Sequence, residues 1–189
     1  MKTLQILLFF LFALSARATT VFAFGGQGYV SQNLTHTMSQ ANGFNIDFFG
    51  TQDLNNPRAM IDVFARETSS PSNLTILQIL SGDGSDLAVG NYPEATWFEP
   101  GHPGIIFSTG SRGFNDTDSW FNVLELQWGT DNKPTVLAVD FYLKENIPNT
   151  NWVRGSIRFN SNIPVGQVPE PSSALLILVA ALGLTRRNR

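Results

Sequence analysis

Between residues 19 and 160 the apolar side chains fall at every second position, in short blocks parted by Gly, Asn, Asp and Pro. A period of two fits strands with one buried face, and no block carries the 3.6-residue stripe of an amphipathic helix. Phe44, Ile46 and Phe48 share one face, with Asn45 and Asp47 on the other. Ala59, Ile61, Val63 and Ala65 do the same opposite Arg58, Asp62 and Arg66. Residues 74–80 are nearly continuously apolar, as in a central strand, and residues 86–90 and 104–108 predict two shorter ones. The clearest unit comes last: residues 120–128, a turn over 129–134, residues 135–143, a loop through Pro148, and residues 151–159. Leu137, Val139, Phe141 and Leu143 face inward in its second block, and Val153, Ile157 and Phe159 in its third, which predicts a three-stranded antiparallel meander. About eight to ten strands in all predict an all-β fold, an antiparallel two-sheet sandwich of jelly-roll or lectin-like type, although parity fits a closed barrel as well.

Composition narrows the chemistry such a domain can do. A chain of 189 residues, 42% hydrophobic and 14% charged, supplies one packed core. The absence of Cys excludes a disulfide scaffold, a thiol nucleophile, a Cys-ligated zinc and an iron–sulfur cluster. Only His36 and His102 are available for imidazole chemistry, and both read as surface residues. Residues 19–167 hold 7 Lys and Arg against 14 Asp and Glu, a net charge of −7, the wrong sign for neutralising phosphates, so nucleic acid is not an expected partner. The run Gly25-Gly26-Gln27-Gly28 leads into Tyr29-Val30-Ser31 with no helix to receive a phosphate, which argues against a nucleotide loop.

The two ends differ from this middle. Met1 and Lys2 precede an apolar run over residues 4–14, too short to span a bilayer, and Ala16-Arg17-Ala18 follows as an A-x-A site. Residues 1–18 therefore predict a signal peptide with Thr19 as the mature start; Val21-Phe22-Ala23 offers a less typical second site. After a linker over residues 161–167, residues 168–189 run Val-Pro-Glu-Pro-Ser-Ser, then an all-round apolar segment over 174–184, then Thr-Arg-Arg-Asn-Arg. Two prolines stop a strand and can start a helix. A single apolar helix from Ser172 to Thr185 would be roughly 21 Å long, enough to cross a membrane with local thinning and snorkelling of the arginines. The closing arginines stay on the cytoplasmic side, which places the middle domain outside.

This tripartite end resembles the PEP-CTERM sorting signal of exported bacterial proteins, over about the last 22 residues only. The resemblance implies that Pro169, Glu170 and Pro171 are the recognition element for an exosortase. It likewise implies that residues 174–184 are a transient transmembrane anchor and that Arg186, Arg187 and Arg189 form the stop-transfer cluster. It further implies export through the secretory machinery, at least transient membrane anchoring, and residence in the cell envelope or extracellular matrix. The middle domain inherits no activity from it.

Three constellations in the middle domain could carry function. The aromatic set Trp97, Phe98, Trp120, Trp128, Tyr142 and Trp152 could bind sugar rings, because flat aromatic faces pack against C–H edges while neighbouring polar groups bond the hydroxyls. Parity puts Tyr142, Trp152, Arg154, Ser156 and Arg158 together on an outer face, so Tyr142, Trp152, Arg154 and Arg158 are the candidate ligand-binding residues; tryptophans in sandwiches also pack cores and edges. Asp83 with Asp86, and Asp116 with Asp118, offer hard oxygens at a spacing calcium can use, although Asp also makes plain turns, and no other cofactor is expected. A glycosidase-like pair could be drawn from Glu94, Glu99, Asp116, Asp118 and Glu125, given two carboxyls about 5–10 Å apart. The expectation is a non-enzymatic structural or carbohydrate-binding module with extracellular polysaccharide as partner; the alternative is an exported polysaccharide hydrolase.

Overall fold

The computed structural model describes residues 19–50, 56–97, 99–114, 117–145 and 151–166. Among the described residues eleven strands carry the fold: β1 (Thr19–Gln27), β2 (Thr35–Ser39), β3 (Phe44–Gly50), β4 (Met60–Glu67), β5 (Leu74–Leu80), β6 (Gly90–Ala95), β7 (Gly104–Thr109), β8 (Arg112–Gly113), β9 (Thr117–Trp128), β10 (Pro134–Glu145) and β11 (Trp152–Ser161). They form two antiparallel sheets, one of six strands in the order β2-β1-β11-β10-β9-β6 and one of five in the order β3-β4-β5-β7-β8. The only helix among the described residues is a single 3-10 turn at Gln40–Asn42, closed by Gly43 in the left-handed region at φ 80°.

The sheets meet through their alternate side chains. Ile61, Val63 and Ala65 of β4, Leu77 and Ile79 of β5, and Leu137, Val139, Phe141 and Leu143 of β10 are all fully buried. Phe107 of β7 lies within 4.9–6.3 Å of the Phe22, Phe24 and Phe141 rings of the other sheet, and Phe48 of β3 stacks on Phe159 of β11 at 4.2 Å. Burying each such ring stabilises the fold by roughly 1.5–3 kcal/mol, with aromatic pairing adding about 0.5–1.5. The meander β9-β10-β11 is as its alternation predicts, and β5 is the middle strand of its sheet.

Three features depart from expectation. The strand expected over 86–90 runs instead from Gly90 to Ala95. Residues 86–88 have no regular structure, because the Leu87 N–H is spent on the Arg58 carbonyl at 2.8 Å. β6 is an edge strand, where Pro93 needs no donor and the register shifts between Tyr92 and Ala95. β1 lies inside its sheet between β2 and β11 and puts Phe22 and Phe24 into the core. Its alternation is only two aromatics long before the glycines begin. Finally, the linker expected from 161 begins on the domain itself: Ser161 is buried and ends β11, and residues 162–166 fold back over the outer face of the six-stranded sheet. The signal-peptide, Pro-Glu-Pro, apolar and arginine segments lie outside the described residues, as do Phe98 and Asp116.

Candidate functional site

The outer face of the six-stranded sheet is built in rows by strand register. Trp120, Tyr142 and Arg154 stand abreast on β9, β10 and β11, and the next row is Asp118, Lys144 and Trp152. Successive same-face rows are about 7 Å apart, within reach of large rings. Trp120 and Tyr142 lie near-parallel with centroids 6.1 Å apart, and Tyr142 and Trp152 likewise at 6.4 Å. With Arg154 these rings line a shallow depression of about 340 Å³. Three of the four candidate ligand-binding residues thus come together, and Trp120 joins them.

Backbone packing behind the row is tight. Gly26 of β1 pairs with Val153, and a Cβ there would run into the Trp152 carbonyl, so the glycine run allows β1 to close on β11 alongside the site. Gly155, beside Arg154, leaves its inward side to the Phe141 ring, which a Cβ would strike. Burial first, and the Asp118 charge second, push the Tyr142 phenol above its ordinary 10.0. Its hydroxyl therefore stays protonated at neutral pH, able to donate and accept, and makes no hydrogen bond among the described residues. Asp118, Lys144 and Arg154 are exposed around the rings. An apolar ring surface with a rim of hydroxyl, carboxylate, ammonium and guanidinium suits the mixed apolar and hydroxyl surface of a sugar.

Arg158, expected among the ligand-binding residues, is withdrawn from the surface. Its side chain is only 1% exposed and cannot meet a ligand. The guanidinium donates to the Val139 and Ile157 carbonyls at 2.9 Å, to the Ile163 and Pro164 carbonyls at 3.2 and 2.9 Å, and to Asp140 at 2.8 Å. Asp140 also accepts from Ser156, which completes the network under the returning chain. Parity placed Arg158 on the outer face correctly; the chain that covers that face follows the strand in sequence and has no pattern of its own.

The remaining candidates are spread over several elements, although the Ala95–Ser119 pair puts Glu94 and Asp118 at neighbouring positions of adjacent strands. Asp83 accepts from the Ser85 N–H and hydroxyl, bonds that hold its carboxyl below the usual value. Asp86 accepts from Asn56 at 2.8 Å and faces Arg58 at 3.9 Å. Asp83 is thus engaged within its own turn and Asp86 with residues 56 and 58, and among the described residues no group of three or more His, Asp or Glu converges. Glu125 accepts from Ser161 at 2.7 Å and stands seven residues along β9 from Asp118. At strand rise that is about 23 Å, more than twice the spacing of a hydrolytic pair. Glu94 sits at the β6 irregularity with φ 54°, and Glu99 follows β6 in an exposed loop. Trp128 packs against the core under Arg58, its indole donating to the Leu87 carbonyl at 3.4 Å, while Trp97 stands apart and 56% exposed. His36, expected on the surface, is half-buried and stacks on Phe24 at 4.7 Å.

Compared with known protein families, curated proteins and solved structures, the chain matches none.

Proposed function

We propose that this chain is an exported envelope or extracellular-matrix protein whose β domain is a non-catalytic module that binds extracellular polysaccharide along Trp120, Tyr142 and Trp152. The near-parallel aromatic row on an outer sheet face is the observation that carries the proposal: in a domain with a filled core, three large rings gathered away from that core offer apolar surface ringed by polar groups. The jelly-roll or lectin-like form of the sandwich belongs to the same proposal. It is supported by a chain that changes sheet between β2 and β3, β5 and β6, β6 and β7, and β8 and β9, and by first and last strands that pair inside one sheet.

Export and sorting rest on the ends of the sequence: an A-x-A site after an apolar run, and Pro169, Glu170 and Pro171 before an apolar segment and Arg186, Arg187 and Arg189. Cleavage before Thr19 leaves β1 whole, whereas cleavage after Ala23 would remove Phe22 from the core, which favours the first site.

Co-sedimentation of the purified protein with the producing cell's extracellular polysaccharide, with released reducing sugar assayed in the supernatant, tests the proposal. Sedimentation without release is expected. Release would instead mark a hydrolase, and neither outcome would mark a structural protein without a glycan ligand.

A further inference from the structure

Among the described residues four strands lie at sheet edges: β2, β6, β3 and β8. An edge offers unpaired backbone groups to another strand, and short or broken strands limit that offer. β8 has two residues, β2 five, and β6 is broken by Pro93 and a register shift, whereas β3 pairs with β4 over all seven of its residues without a shift. The Thr68 N–H donates to the Gly43 carbonyl at 2.8 Å, so Gly43 and Thr68 continue the β3–β4 register as a hydrogen-bonded pair. Antiparallel ladders alternate, so Asn45, Asp47 and Phe49 turn their N–H and C=O groups to β4, while Phe44, Ile46 and Phe48 turn theirs to the free edge. Those outward groups have no partner among the described residues. Beside them runs a groove of about 320 Å³ whose lining includes the half-buried Phe44, Ile46 and Phe159.

The strand is complementary to itself in one register. A two-fold axis at Ile46 sets Ile46 opposite Ile46 of a second copy, and Phe44 and Phe48 opposite that copy's Phe48 and Phe44, so that every outward group of the three residues is paired. On the outer sheet face the same register sets Asn45 opposite Asp47 of the second copy, an amide donor against a carboxylate. Arg66 stands behind Asn45 on β4, about 10 Å from that Asp47 and within reach of it for an extended side chain. Arg66 and Asp47 are both exposed, and neither makes an ion pair or hydrogen bond among the described residues. The next register in one direction sets Asp47 against Asp47, where like charges repel. In the other direction the Phe48 groups fall opposite the 3-10 turn and lose their partner. We infer that two copies of this chain pair through β3 about a two-fold axis at Ile46, which joins their five-stranded sheets into one of ten and brings Phe44 and Ile46 of each copy to the groove of the other. A contact one strand wide is small, so the dimer is weak and concentration-dependent. It is independent of what the aromatic row binds.

The test is sedimentation velocity of the full chain in detergent micelles over a concentration series, with the melting temperature of each protein as the fold control. Ile46→Pro removes an outward N–H and no β3–β4 hydrogen bond, a change that an edge strand tolerates. Expected are a wild type that passes from monomer to dimer as concentration rises, and an association weakened about tenfold or more in Ile46→Pro at unchanged Tm. The register is read by oxidation, since the chain has no Cys of its own. Asn45→Cys mixed with Asp47→Cys should form a mixed disulfide, their Cα atoms facing each other at about 4.5 Å. Either variant alone should cross-link about tenfold less, its two cysteines lying on a diagonal of about 7–8 Å. A monomer at every concentration overturns the pairing and leaves the edge to a strand of another protein. A dimer that survives Ile46→Pro and gives no preferred mixed disulfide is held by another surface and overturns it too. Should Ile46→Pro fail to fold, the disulfides decide alone: a preferred mixed product upholds the register, and equal yields from the three pairings or a preference for Asp47→Cys with itself overturn it.

Discussion

At the level of single residues, side chains on one sheet face divide between holding the chain and meeting solvent. Arg158 does the first. Replacing it with Met takes the side-chain donor from the Ile163, Pro164 and Val139 carbonyls and leaves Asp140 with Ser156 alone, at a cost of about 3 kcal/mol, or roughly 6–12 °C in Tm; thermal unfolding followed by circular dichroism reads it. Lys at this position rescues little, because one ammonium cannot reproduce the planar fork. Tyr142 does the second. Its raised pKa favours the neutral phenol in the folded state, so this contribution is complete below the ordinary 10.0 and is lost as pH rises through the higher folded value. The tyrosinate absorbance difference between wild type and Tyr142→Phe should titrate above 10.0, and Asp118→Asn should lower that midpoint without restoring 10.0, since burial is the larger cause. A midpoint unmoved by Asp118→Asn would contradict the placement of Asp118 beside the ring. Alternation was enough to find Tyr142, Trp152 and Arg154. Trp120 could not be joined to them, because the register shift that leaves Leu124 unpaired breaks parity between Trp120 and Trp128. Trp128 consequently packs against the core, while Trp120, eight residues before it, lies on the outer row.

At the level of elements, the alternating blocks predict their strands well: Ile61, Val63 and Ala65, or Leu137 through Leu143, are buried where parity puts them. The elements that sequence missed are those defined by their partners and not by an alternating pattern of their own. β1 is defined by pairing with β11 and β2, and residues 162–166 by carbonyls that satisfy Arg158. The boundary of the domain follows from this. A chain ending at Gly166 should keep the wild-type Tm within about 2 °C, because every described partner of Arg158 remains. One ending at Ser161 should lose about 2–3 kcal/mol, because a buried guanidinium is left short of acceptors. Denaturant titration of the two proteins measures the difference, and equal midpoints would show that the returning chain contributes nothing.

At the level of the whole molecule, the two sheets are joined by aromatic contact across the core. Phe107 alone meets three rings of the facing sheet, and Phe107→Ala should cost about 3–5 kcal/mol in chemical denaturation, through lost burial and a cavity that both sheets line. The aromatic row lies on the opposite side of the six-stranded sheet from this core, which separates stability from binding and allows each to be altered alone. Binding of polysaccharide along this row, as proposed, is read by the affinity of wild type, Tyr142→Ala and Trp152→Ala for that polymer beside the Tm of each. A loss of about tenfold or more in each variant, roughly 1.4 kcal/mol, with Tm within a few degrees of wild type, is predicted. Wild-type affinity in both variants would contradict it.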